Sequence, residues 1–422
     1  MMFRLKTTRD NAQQARESLL RRNGRNTLWL SFFQVFLLIM PIAVPFFERH
    51  GLGMQQIFAL QAAFSAAVLL LEVPSGMIAD LLGRRATLIW GSVFCGLGST
   101  TLMVAHDFWG FLAFELLLAV SASLVSGADI AMAYDSELER NPEGDPPATV
   151  VGRLYAARTL SESVSAALLS VLLLWFAVSE VLLVQAMISW LPLVFALSLV
   201  EPQRPSSDES DVERSNMTPL FDSIKHLWGH SSVLRYCFLA LCVWSLTTFY
   251  AVWLLQKLWS DQALELVHFG YLWAGLSLVT ATAGRYAAQV EAALGTTLTL
   301  LIVGSLPVAG YLLLNGAGTL GALLAGVTFF AARGLGLVIL RDALNRRTPS
   351  AFRATANSLA SFGFRASFIV TGPFVGYAFD LWGMDQVLIS LAGISTVIAV
   401  AILLPLALAA RQQRADVRGN PV

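Results

Sequence analysis

The feature that most constrains this chain is a series of long apolar segments. A transmembrane helix needs about 20 consecutive, mainly apolar residues, and twelve such segments occur in two groups of six. We number them spans 1 to 12; they cover 27–47, 55–79, 86–105, 108–134, 150–176, 180–200, 233–256, 265–288, 296–314, 318–341, 354–379 and 385–409. The predicted fold is therefore an all-α membrane protein with 12 transmembrane helices, arranged as two pseudo-symmetric six-helix bundles.

Composition excludes several function classes. Only 13% of the 422 residues are charged, about half the share in a soluble protein, which excludes a water-soluble enzyme. The net charge is zero, so nucleic acid is not an expected partner. The three cysteines lie inside apolar segments without metal or disulfide spacing. We predict no cofactor and no metal; the expected partners are the lipid bilayer, a small-molecule substrate and a coupling ion.

Charge outside the spans predicts the domain boundaries and the orientation. The Pro/Ser/acid-rich segment 201–232 reads as a cytoplasmic linker between bundles 27–200 and 233–409, with tails at 1–26 and 410–422. The loops on one side carry nearly all the arginines and lysines, and the opposite loops carry only Arg49 and Lys257. The positive-inside rule then places both termini in the cytoplasm. The preference for Arg over Lys suggests a bacterial source, hence the inner membrane.

Ionisable residues inside the spans follow a three-helix pattern. Spans 3, 6, 9 and 12 have none in their apolar cores, and the charges lie on spans 2, 4, 5, 8, 10 and 11: Glu72, Glu115, Asp129, Arg158, Glu162, Arg285, Arg333 and Arg365. When the sequence is aligned with itself at an offset of 207 residues, four identical glycine, aspartate or arginine positions coincide, including Asp135 with Asp342 and Arg158 with Arg365. Internal repeats of this kind are typical of secondary transporters.

The loop after span 2 carries the most specific motif, Gly76-Met-Ile-Ala-Asp80-Leu-Leu-Gly83-Arg84-Arg85. It resembles the signature loop of the major facilitator superfamily, Gly-x-x-x-Asp-x-x-Gly-Arg-Lys/Arg, and the span count, the linker position and the repeat extend the resemblance over the whole chain. The resemblance implies a transporter that works by alternating access, as a monomer. The loop after span 8 lacks the acidic residue, so the two halves differ.

Residue chemistry predicts a gating group in and near this loop. Gly76 permits close helix packing and Gly83 a tight turn, while Asp80 can accept hydrogen bonds from Arg84 or from a helix start in the other half and so latch the outward-facing state. The alternative is that Arg84 and Arg85 act only as orientation signals. The predicted gating residues are Gly76, Asp80, Gly83, Arg84, Arg85, Asp129, Asp135, Arg333 and Asp342.

The remaining polar residues in the spans are candidates for the transport site. The predicted substrate-binding residues are Arg365, Arg158, Gln61 and Ser361, because an arginine at mid-span is a natural anion site. The predicted proton-coupling residues are Glu115, Glu162 and Glu72, because an apolar environment favours the neutral form of a carboxyl. The alternative is structural: Arg158 could pair with Glu162 or Glu72, and the charges could neutralise one another.

We expect a secondary transporter rather than an enzyme. The leading hypothesis is proton-coupled export of a small organic solute, such as a drug or metabolite, by an antiporter. The alternative is proton-coupled uptake of an organic anion or zwitterion. Span 5 lacks the Gly-Pro motif that is usual in proton-antiporting exporters, which weakens the first hypothesis; a receptor that keeps the fold without transporting is a third reading. The sequence leaves H⁺ and Na⁺ open as the coupling ion.

Overall fold

The computed structural model describes residues 2–141, 149–203, 231–316, 318–349 and 352–419, and within these ranges every regular element is helical. Ten of the described helices are long and apolar enough to cross a membrane. One of them, Leu266–Leu314, contains both span 8 and span 9, which meet at the non-helical residue Gly295. Together with the divided span 1, these helices account for the twelve predicted spans.

The helices follow the apolar segments and extend beyond them at the polar ends. Their bounds are Met2–Gln34 and Ala43–Arg49 (span 1), Met54–Leu82 (2), Arg84–Val104 (3), Phe108–Val125 and Ala128–Arg140 (4), Thr149–Leu173 (5), Val178–Ile188 and Leu191–Leu197 (6), Ser232–Leu239 and Ser245–Asp261 (7), Leu266–Leu314 (8 and 9), Thr319–Arg347 (10), Arg353–Trp382 (11), and Met384–Ile398 and Leu404–Gly419 (12). Short π-helical segments, Ala240–Trp244 and Ala399–Leu403, join the two pieces of spans 7 and 12. The predicted N-terminal tail is largely a helical extension of span 1.

Span 1 is interrupted in the middle of its apolar segment. The first helix ends at Gln34, and a short 3-10 turn at Met40–Ile42 precedes the second helix. Pro41 has no N–H to donate, so it does not continue the helix. The side chain of Gln185 on span 6 satisfies two backbone groups at the break. Its Nε2 donates to the carbonyl of Phe36 (3.0 Å), and its Oε1 accepts from the N–H of Leu38. Exposed backbone at membrane depth is tolerated only where protein groups satisfy it in this way.

Span 4 is also divided, at Ser126–Gly127. Gly127 has φ +80°, a backbone conformation that residues with a side chain rarely adopt. The helix resumes at Ala128. Glu115 therefore lies on the first piece of span 4 and Asp129 on the second.

By compactness, the chain divides into two units. The first comprises Met1–Met40 and Ala67–Arg214, and the second comprises Pro41–Ala66 and Ser215–Val422. The first unit has a core around Leu30, Leu88 and Met132, and the second has a larger one around Trp244, Val303 and Leu340. Segment 41–66, which the sequence assigns to the N-terminal bundle, packs with the second unit. Residues 204–230 of the predicted linker lie outside the described residues.

Candidate functional site

In the first unit, the motif after span 2 is organised around a carboxylate from the end of span 6. Gly83 has φ +87° and turns the chain into span 3. Glu201 then accepts hydrogen bonds from the first two backbone N–H groups of that span, those of Arg84 (2.8 Å) and Arg85 (2.7 Å). A Cβ at position 83 would lie 3.1 Å from the Glu201 carboxyl. Glycine is therefore favoured there both by conformation and by space, and the carboxylate satisfies N–H groups that a helix leaves unpaired.

The side chains of the two arginines tie this loop to neighbouring helices. Arg84 forms an ion pair with Asp135 and donates to the carbonyl of Ala131 (3.0 Å), both on the second piece of span 4. Arg85 donates to the carbonyl of Leu197 at 3.0 Å. Both arginines thus make structural contacts, which an orientation signal alone would not require. Of the other predicted gating residues in this loop, Gly76 and Asp80 are exposed.

A second polar cluster in the first unit joins spans 1, 4 and 5. The Asp129 side chain is fully buried, and its Oδ2 accepts from Arg158 Nη2 (2.5 Å) and from Ser31 Oγ (2.6 Å). Its Oδ1 accepts from the N–H of Ile130 at 2.8 Å. Burying a charge is costly unless it is paired and hydrogen-bonded, and these three donors meet that condition. A predicted gating residue and a predicted substrate-binding residue are thus brought together, in a pairing of Arg158 with Asp129 that the sequence did not predict.

The three candidate proton carriers differ in exposure. Glu115 on span 4 is buried, at 6% exposure. Glu72 on span 2 is partly buried, whereas Glu162 on span 5 is exposed. Burial in a low-dielectric environment disfavours the charged form of a carboxyl. By that criterion, Glu115 is the strongest of the three candidates.

In the second unit, an arginine-lined cavity of about 160 Å³ lies between spans 7, 10 and 11. Two arginines from span 10, Arg333 and Arg341, contribute the positive charge. Ser361 lines it as well, and the rings of Phe249 and Phe364 meet edge to face there with centroids 5.4 Å apart. The other lining residues are Leu241, Ser245, Thr248, Leu337, Asn357 and Ala360. The described lining contains no carboxylate, so the cavity, which we call the arginine cavity, is suited to an anionic group.

The arginine cavity also contains a hydroxyl without a partner. Ser245 is 9% exposed, and its buried Oγ has no hydrogen-bond partner among the described residues. A buried polar atom of this kind carries a desolvation cost until a partner binds it. Ser245 is therefore a natural contact for a polar ligand group.

The remaining predicted residues lie elsewhere. Arg365 is partly buried one helical turn beyond Ser361, but it does not line the arginine cavity. Gln61 is partly buried in segment 41–66. Asp342 pairs with Arg346 (2.8 Å) at the exposed end of span 10 and lines a separate cavity of about 510 Å³. In the first unit its repeat counterpart Asp135 pairs with Arg84 from the loop after span 2.

Two contributors to these sites were missed in the sequence. Glu201 is the first residue of the predicted linker, and only its place at the junction of span 6 with this Pro/Ser/acid-rich segment distinguishes it. Arg341 counts in the sequence only as an orientation signal. It lies eight residues after Arg333, close to two helical turns, and this spacing is the signal that could have joined them on one face.

The fold is that of a polytopic helical membrane protein. The sequence profile of the Major Facilitator Superfamily matches residues 27–348, and the chain belongs to that family. No match was found among curated protein sequences.

Solved structures show the same fold at low sequence identity. The nucleoside transporter NupG is 14% identical, with a TM-score of 0.72 over 91% of this chain and 98% of that one. A bacterial homologue of the human lysosomal transporter Spinster, in an inward-facing and unoccupied conformation, is 15% identical, with a TM-score of 0.71 over 94% and 97%. A POT family transporter in complex with 5-aminolevulinic acid is 14% identical, with a TM-score of 0.65 over 91% and 95%.

Proposed function

We propose that this chain is a proton-coupled secondary transporter that exports a small organic solute with an anionic group across the bacterial inner membrane. The observation that carries the proposal is the arginine cavity. Two arginines, an unpartnered buried hydroxyl and an aromatic pair face one space without a carboxylate among the described lining residues. Guanidinium groups bind carboxylates and phosphates through parallel hydrogen bonds, and aromatic rings supply apolar contact area.

The size of the arginine cavity indicates which part of the solute it holds. Sites for drug-sized ligands have volumes of about 300–1,000 Å³, and this cavity has about 160 Å³. It therefore suits the charged end of a solute rather than the whole molecule. Arg365, one turn from Ser361 on span 11, is proposed to contact another part of the solute.

Proton coupling is proposed to use Glu115, with Glu162 and Glu72 as the other candidates. Glu115 is the most buried of the three, and it lies in the first unit, whereas the arginine cavity belongs to the second. Substrate and proton would then bind to different units, as coupling through a conformational change allows. The arginine-rich ends of the spans are proposed to face the cytoplasm, because of the positive-inside rule.

A ligand-binding screen followed by a flux assay tests this function. Purified protein is heated with organic anions, zwitterions, cations and neutral drugs, because a ligand that binds the folded state raises the melting temperature by RT ln(1 + [L]/Kd). We expect anionic compounds to stabilise the parent. Arg333→Gln and Arg341→Gln should lose this effect, and Arg285→Gln, an exposed arginine on span 8 that does not line the cavity, should retain it.

Flux in proteoliposomes then tests coupling and direction. With an imposed pH gradient, a stabilising anion should exchange against protons, and Glu115→Gln should abolish the proton flux while leaving the thermal shift in place. Stabilisation by cations or neutral drugs alone, equal in the parent and both arginine variants, would exclude the anion site. Movement of the solute with protons in the same direction would replace export with uptake.

A further inference from the structure

The eight-residue pattern of the loop after span 2 occurs a second time, at the end of span 11. Gly76-x-x-x-Asp80-x-x-Gly83 is matched by Gly376-Tyr-Ala-Phe-Asp380-Leu-Trp-Gly383, with the same spacing and without the two arginines. Gly383 has φ 78° and ψ 175°, close to the φ 87° and ψ 158° of Gly83, and each glycine starts the next helix. The copy lies at the end of the spans opposite to the arginine-rich loops, because span 11 begins at Arg353 and ends at Trp382.

In the copy, the acidic residue caps another helix. Asp380 Oδ1 accepts from the N–H of Met54 (3.0 Å), and Oδ2 accepts from the N–H of Gln55 (2.9 Å). Met54 and Gln55 are the first two residues of span 2. A helix leaves its first N–H groups without partners, and a negative charge at that end is favourable. Asp380 thus links the end of span 11 to the start of span 2 inside the second unit.

Glycines allow the two backbones to approach closely enough for this contact. A Cβ at Gly53 would lie 2.8 Å from Asp380 Oδ2, and a Cβ at Gly376 would lie 2.7 Å from the Cα of Gln55 and the carbonyl oxygen of Met54. Real Cβ atoms do not approach other atoms so closely, so Gly376, which lies against backbone, requires glycine in this packing, and a side chain at Gly53 would displace the Asp380 carboxylate. Because Gly376 has no side chain, the backbone of span 11 can approach the start of span 2 at this position.

Polar contacts from span 7 hold the same segment 41–66. Lys257 Nζ forms ion pairs with Glu48 (3.1 Å) and with Asp261 (2.5 Å). The backbone N–H of Val44 donates to Gln256 Oε1 at 3.0 Å, and Gln256 is fully buried. Segment 41–66 is thus fastened to both span 7 and span 11.

We propose that Asp380 is a conformational latch for the end of the transporter that lies opposite to the arginine-rich loops. The carboxylate stabilises the state in which segment 41–66 packs against spans 7 and 11, and in the proposed cycle this contact opens and closes. The inference rests on the proposed transport function. In the proposed latch, Asp380 accepts hydrogen bonds from the first N–H groups of span 2. Glu201 accepts the same kind of hydrogen bonds from the first N–H groups of span 3.

Distance measurements between two spin labels test the latch without a known substrate. Labels are attached at Gln56→Cys and Gln386→Cys, two exposed positions on segment 41–66 and span 12, in a chain whose buried Cys95, Cys237 and Cys242 are replaced by Ala. The parent should show one dominant distance. Loss of a helix-capping carboxylate costs about 1 kcal/mol, so Asp380→Ala should raise the ratio of a longer distance to the dominant one about fivefold.

Two further variants control for indirect effects. Asp380→Asn keeps one acceptor oxygen and should give a smaller increase, and Asp385→Ala, an exposed carboxylate in the first turn of span 12, should match the parent. A distance distribution in Asp380→Ala that is unchanged from the parent would overturn the latch, even if the melting temperature falls. A shifted distribution without ligand-driven flux in the parent would retain the latch and refute the proposed transport, so the two failures are distinguishable.

Discussion

Replacement of Glu201 by Ala gives the sharpest test of how the first unit is held together. The carboxylate accepts two hydrogen bonds, at 2.8 and 2.7 Å, from the first two N–H groups of span 3. Removal of a helix-capping side chain costs about 1 kcal/mol, and loss of the favourable charge at the helix N-terminus adds about 0.3–1 kcal/mol. We therefore expect a loss of about 1–2 kcal/mol in the free energy of unfolding.

Thermal unfolding of the purified protein in detergent measures this loss. For a unit of 150–250 residues, 1 kcal/mol corresponds to about 2–4 °C, so the melting temperature of Glu201→Ala should fall by about 2–8 °C. Glu201→Gln retains a carbonyl oxygen that can accept one N–H, and its melting temperature should lie between those of the parent and the Ala variant.

A matched carboxylate provides the control for charge. Glu17 on the first helix has a side chain that is 53% exposed and lies 4.0 Å from Arg21, a geometry that contributes little to stability. Glu17→Ala should therefore melt within about 1 °C of the parent. Equal melting temperatures for Glu201→Ala and Glu17→Ala would refute the reasoning, because the two cap hydrogen bonds would then contribute nothing measurable.

Two further substitutions test buried polar groups in the first unit. Asp129→Asn leaves the guanidinium of Arg158 without its carboxylate; because the Arg158 side chain is 26% exposed, the cost should lie below the about 3–5 kcal/mol of a fully buried pair. The double variant Asp129→Asn/Arg158→Gln should recover part of that loss in denaturant unfolding, and a fully additive double variant would contradict the pairing. Gln185→Leu leaves an N–H and a C=O unpaired at the break in span 1, at about 1–3 kcal/mol for each group, so hydrogen exchange over residues 35–39 should accelerate; unchanged exchange would mean that other groups satisfy the break.

Hydrophobic length predicted the helices well, because the bilayer requires about 20 apolar residues for each crossing regardless of what a helix contacts. It failed where a local backbone preference interrupts an apolar segment, at Pro41 in span 1 and at Gly127 in span 4. Both breaks have visible residue signals, but an apolar average over 20 positions does not register them.

The partners of the polar residues were harder to predict, since they come from distant parts of the chain. Asp129 and Arg158 were each identified as special, but their 29-residue separation carries no periodicity that would pair them. Glu201 lies 117 residues from Arg84 in a segment whose composition indicates a linker. The candidate substrate residues remain predictions, and the arginine cavity adds Arg341 to Arg333 and Ser361.

The placement of segment 41–66 makes the covalent route of the chain unusual. The polypeptide passes from one unit to the other three times, at 40/41, at 66/67 and at 214/215, so the long linker is only one of three connections. Proteolytic cleavage of the linker would leave two backbone connections between the units intact, at 40/41 and at 66/67. A split gene that encodes 1–214 and 215–422 would produce a first fragment that already contains residues 41–66, a 26-residue piece of the second unit. Completion of the second unit would then require the two fragments to associate.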